Sequence, residues 1–155
     1  MFKEPETSEI TVGDLLRKKE ELGLRFFKNC IQRTNQFSTK YVLQKVLRAH
    51  QDHVGELNQE LQKLSEEMAD DNLVSEIEKV VSAKDLSDEF DLATLTFREA
   101  TRLAMRFAEN DIIFYEKLLK KIPDSSSAKS IERVLYKKST YVLKLKSEYE
   151  RLRHK

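Results

Sequence analysis

A chain of 155 residues with 3 glycines, 2 prolines and 35% charged residues is rich in helix formers and poor in turn formers, which predicts one mostly helical domain over 1–155. No apolar run reaches the roughly 20 residues of a membrane span, MFKEPETSEI lacks the apolar core and cleavage signal of a secretory peptide, and a lone Cys30 excludes an internal disulfide, so a cytoplasmic protein is expected. The formal charge of +1 hides an asymmetry: residues 117–155 hold 12 basic and 4 acidic side chains, whereas 56–91 hold 12 acidic and 3 basic ones. The basic end is read as a solvated helix face that complements the acidic part of the chain or of a partner subunit, rather than as a nucleic-acid surface.

In chain order, apolar residues recur at helical spacing from about 12 to 34, where Val12, Leu15, Leu16, Leu22, Phe26 and Cys30 share a face. Thr11 followed by Asp14 gives that segment an imperfect start signal. A second helix is expected over 38–68, on the stripe Tyr41, Val42, Val46, Leu47, Val54, Leu57, Leu61 and Leu64. The short gap between the two makes them antiparallel neighbours. Residues 69–90 are acidic and broken, with LVSEIEKVV able to form a short helix inside a connection long enough to cross a bundle. Helical spacing resumes over 91–122 and stops at Pro123, and a last helix is expected over 127–153. Two hairpins and one long crossover predict an all-α four-helix bundle.

The halves repeat at an offset of 88 residues. Leu15-Leu16 meets Leu103-Ala104, Phe26-Phe27 meets Phe114-Tyr115, Val46-Leu47 meets Val134-Leu135, and Leu57 meets Leu145. Duplicated hairpins packed face to face would bury both stripes.

Three motifs carry a family resemblance. The first half offers Glu20, Gly23 and Phe26-Phe27; AMRFAENDIIFYEKLL carries Phe114-Tyr115; and His50-Gln51-Asp52-His53 sits within AHQDHVGEL. Over about 12–150 this arrangement resembles the rubrerythrin branch of the ferritin-like superfamily. The resemblance implies a glutamate opening each half, a Glu-x-x-His about 30 residues later, and two irons held between the four helices. Matched to that pattern, Glu20 and His53 occupy ligand positions and His50 replaces a glutamate. The remaining positions hold Ala108, Lys138 and Tyr141. Glu109 lies one place from the third-helix ligand position, which turns its side chain away by roughly 100°.

A di-iron centre needs carboxylates that bridge and partly neutralise two cations. Ala108 supplies no donor, and Lys138 brings an ammonium to the cations. Lys138 is better read as the partner of Glu20, and Tyr141 as filling imidazole volume and donating one hydrogen bond to Glu20 or a polar neighbour. Glu20, His50 and His53 could still form a reduced site for a single iron or zinc, with Asp111 a further ligand candidate. No phosphate loop, CxxC pair or HExxH is present. Cys30 reads as a small buried residue, and His154 as part of an exposed charged tail. The expectation is a non-catalytic, cofactor-free structural or interaction protein that has lost the di-iron centre; the resemblance further implies a homodimer, and another protein is a possible partner. The alternative is a metal-binding oxidoreductase or iron-handling protein built on Glu20, His50 and His53.

Overall fold

The computed structural model describes residues 10–64, 71–82, 90–122 and 125–153. Among them run α1 (Val12–Arg33), α2 (Phe37–Leu64), α3 (Asp71–Ser82), α4 (Phe97–Lys121) and α5 (Ser125–Arg153). The result is an all-α bundle of four long helices, with α3 laid against α1.

Local chemistry sets the helix starts. Thr11 accepts from the Asp14 amide through its side chain at 3.1 Å, so the imperfect start signal does cap α1. α4 begins six residues later than the expected 91. The sequence Thr96-Phe-Arg-Glu99 closes a capping box, with Thr96 Oγ1 accepting from the Glu99 amide and Glu99 returning a carboxylate to the Thr96 amide. Upstream, the Asp91 carboxylate accepts from the Ala93 amide at 3.2 Å and holds a turn.

That turn is fixed to the far end of the bundle. The Asn35 amide donates to the Ala93 carbonyl at 3.3 Å, and Thr39 Oγ1 donates to the Leu95 carbonyl at 2.7 Å. α2 ends at the opposite pole of the bundle. α3 packs against α1 there and buries Val74 and Ile77. α5 starts at Ser125, two residues before the expected 127. The predicted end of α2 at 68 and His154 fall outside the described residues.

Side-chain pairs define the directions. Arg17 reaches Gln62 and Phe27 meets His50, so α1 and α2 are antiparallel; Lys19 reaches Asp111 and Phe26 meets Phe107, so α1 and α4 are antiparallel as well. α5 runs against α2, with Arg133 near Glu60 and Tyr141 on His53.

The core has two apolar ends and a polar middle. One end packs Leu15, Leu16, Leu57, Leu61, Leu118 and Ile131 with Val74 and Ile77 of α3. The other packs Phe27, Cys30, Leu43, Val46 and Leu103 with Leu92 and Leu95. Between them lies a layer containing Glu20, His50, His53, Asp111 and Lys138, all buried. No helix among the described residues is long and apolar enough to cross a membrane.

Candidate functional site

The middle layer is organised by an ammonium from α5. Lys138 Nζ donates to Glu20 Oε1 at 2.6 Å and also to the Asp111 carboxylate. From α1, Lys19 donates to the other oxygen of Asp111 and lies 3.4 Å from Glu20 Oε2. The Tyr115 hydroxyl of α4 donates to Glu20 Oε2 at 3.0 Å. Two cations thus face two anions, and both carboxylates are multiply hydrogen-bonded. The ammoniums also lie over aromatic rings: Lys19 is 4.7 Å from the Phe114 centroid, and Lys138 is 5.3 Å from that of Tyr115.

Charge and burial compete at every member. Burial pushes the Asp111 carboxyl up, but the Lys138 and Lys19 ammoniums hold it well below its ordinary range. Burial and the Asp111 charge raise Glu20, and the same two lysines bring it below its usual value. Burial acts against the charge of Lys19, but Asp111 and Glu20 together raise its pKa. Burial lifts the Tyr115 hydroxyl well above its normal value, and the neighbouring carboxylates reinforce this, so it stays a donor.

The histidines form the other side of the layer. His53 stacks on Tyr141 with centroids 4.6 Å apart and planes 8° from parallel. His50 sits among Phe27, Phe107 and Tyr141. Neither nitrogen of His50 nor Nε2 of His53 has a hydrogen-bond partner among the described residues. Burial pushes His50 down to about 4, with Glu20 opposing and Lys138 adding to the shift. Burial and Lys138 push His53 down to about 3. Both imidazoles are neutral at pH 7.

The 88-residue offset pairs Lys19 with Phe107 and Gly23 with Asp111. In space the corresponding contacts exchange character. Lys19 of α1 reaches Asp111 of α4, while Phe107 of α4 lies over Gly23 of α1. One side of the layer is therefore ionic and the other aromatic. A Cβ at Gly23 would fall 2.8 Å from Phe107 Cζ and 3.1 Å from His50 Nε2, and Phe107 is pinned by stacking on Phe26 at 5.5 Å. Gly23→Ala is therefore expected to destabilise by about 1–2 kcal/mol in urea unfolding, overpacking outweighing the gain in helix propensity. Adding Phe107→Leu should recover most of that loss.

Glu20, Lys138 and Asp111 come together, as do His50, His53 and Tyr141. The hydroxyl bonded to Glu20, however, is that of Tyr115, and Tyr141 stacks on His53 instead. Ala108 is buried without a donor, and Glu109 is exposed on the outside of α4. This donor set does not fit a di-iron centre: the position that the resemblance would assign to a third-helix ligand is a methyl group, and an ammonium bonds both carboxylates. Among the described residues, no group of three or more His, Cys, Asp or Glu side chains could hold a metal ion.

Sequence reasoning missed Lys19 and Tyr115. Tyr115 entered only as part of the Phe114-Tyr115 motif, and Lys19 was not singled out from the charges around it. The offset that sets Lys19 against Phe107 was the available signal, because it gives this lysine an inward position. Arg133, Lys137, Lys144 and Arg151 share one flank of α5, but Arg133 lies 3.5 Å from Glu60 and Arg151 is bonded to Glu148. Comparison of the chain with protein-family models, with curated proteins and with solved structures found no match.

Proposed function

We propose that this chain is a non-catalytic, ferritin-like structural or interaction protein in which buried ion pairs take the place of a di-iron centre. The observation that supports this most directly is Lys138, whose ammonium bonds Glu20 and Asp111 at the middle of the bundle. A divalent cation there would have to displace a charge already matched to both carboxylates. An internally paired core can hold a bundle together without catalysing anything, and the exposed helix faces are then free to associate with a second copy or another protein.

A second reading, a metal-binding oxidoreductase or iron-handling protein with one metal at Glu20, His50 and His53, is favoured by the imidazole nitrogens that lack hydrogen-bond partners among the described residues. Against it, both Glu20 oxygens are engaged by Lys138, Lys19 and Tyr115.

The test is to incubate the protein anaerobically with ferrous iron, admit oxygen, desalt it, and measure bound metal and oxygen uptake. The proposal expects no retained iron and no oxygen uptake above the buffer. Two irons per chain with oxygen consumption would overturn it. One metal per chain that is lost in His53→Ala would establish the second reading.

A further inference from the structure

We infer that the outer face of α5 is a seam for a second copy of this chain, joined antiparallel about a two-fold axis between Ser139 and Thr140. This rests on the interaction role proposed above and specifies its surface and its occupant.

Tyr136, Thr140, Leu143 and Ser147 follow one another at spacings of four, three and four residues, one face of a helix. All four are exposed, Tyr136 at 75% and Leu143 at 66%. Thr140 Oγ1 donates back to the Tyr136 carbonyl at 3.1 Å, so its hydroxyl is satisfied within the helix and its methyl is left for the surface. In a chain that is 35% charged, this is an uncharged face on which a large aromatic and a large aliphatic residue alternate with Thr140 and Ser147. Such a face suits close packing of helix on helix.

The residue order is self-complementary. An antiparallel copy centred between Ser139 and Thr140 sets Tyr136 against Leu143 twice, once in each direction, with Thr140 of each copy at the axis. One flank then brings exposed Glu132 of each copy beside exposed Lys146 of the other. Parallel pairing would instead set Tyr136 on Tyr136 and Lys146 on Lys146. On the opposite flank, Lys144 of one copy falls near Arg133 and Lys137 of the other. Glu60 already attends Arg133, at 3.5 Å. This flank works against association, so the dimer is dissociable rather than permanent.

Light scattering during size-exclusion chromatography over 1–200 μM, with circular dichroism as the folding control, tests the seam. The wild-type chain should dimerise within that range. Tyr136→Glu combined with Leu143→Glu should be monomeric with unchanged helicity. Lys144→Glu, turning repulsion into attraction, should tighten the dimer about tenfold. Under a mild oxidant, Thr140→Cys should cross-link to itself, whereas Ser147→Cys should not, its copies lying about 22 Å apart along the seam; Cys30 is buried. A monomeric wild-type chain, a dimer that survives the double substitution, or preferential cross-linking at 147 would each overturn the inference. None of these outcomes bears on iron retention, so the seam and the metal-free core can fail separately.

Discussion

Lys138→Met is expected to lower the free energy of unfolding at pH 7 by about 3–5 kcal/mol, the usual cost of removing one partner from a buried pair. Methionine nearly preserves the volume, so the loss is electrostatic rather than a cavity. Glu20 and Asp111 would be left with Lys19 as their shared cation, in a layer where both carboxylates are largely shielded from water. Two further measurements separate this from nonspecific damage. The deficit should shrink as the pH is lowered toward 4, because a proton taken up by either carboxyl replaces the missing charge. In Glu20→Gln/Lys138→Met, the combined loss should fall short of the sum of the single losses by about 2 kcal/mol. A Lys138→Met protein within about 1 kcal/mol of wild type would remove the ion pairs from any part in holding the bundle.

The second large effect is acid sensitivity beginning well above the carboxylate range. His50 and His53 titrate at about 4 and about 3 in the folded chain, against an ordinary value of 6.5. Groups depressed on folding contribute stability that is complete above the unfolded value and is lost as pH falls toward the folded one. Between pH 6.5 and 4.5 the unfolded chain therefore binds up to two more protons than the folded chain. Stability should drop by on the order of 2 kcal/mol per pH unit. Glu20 and Asp111 are also depressed, but their contribution is intact until pH falls through the ordinary carboxylate range, so the earlier loss belongs to the imidazoles. Lys19 is raised, and its contribution disappears only on the alkaline side. Urea midpoints measured every half pH unit check this. His53→Phe, which can retain the stack on Tyr141, should remove close to half of the slope, and an unchanged slope would sink the assignment.

What could be read in advance follows the reach of each signal. The helices were legible because period-3.6 stripes persist for twenty residues or more, and the pairing of Glu20 with Lys138 because opposite charges at inward positions of facing helices must find each other. The start of α4 was misplaced because Asp91, Leu92 and Leu95 fit a helical stripe while Thr96 and Glu99 offer a stronger start, a competition settled by docking on the turn between α1 and α2. The full membership of the ion cluster was not legible. Whether Lys19 points into the layer or into solvent depends on how α1 is oriented about its axis, and here it faces Asp111. The partner of Tyr141 was equally open, because a phenol can stack or donate, and here the flat face of His53 took it.

The charged layer also acts as a ruler. Along the inner side of α5, Ile131, Val134, Val142 and Leu145 are similar enough in size and chemistry that an apolar groove would accept the helix shifted by a turn. Lys138 is the one residue in that row that cannot be exchanged for its neighbours. A shift of one turn would bring Val134 or Val142 to Glu20 and Asp111 and strand an ammonium among hydrocarbons. Only one axial position of α5 satisfies all the charges, and that position also sets the height at which Tyr136 and Leu143 stand on the outer surface. Buried ion pairs in this way fix how far each helix may slide.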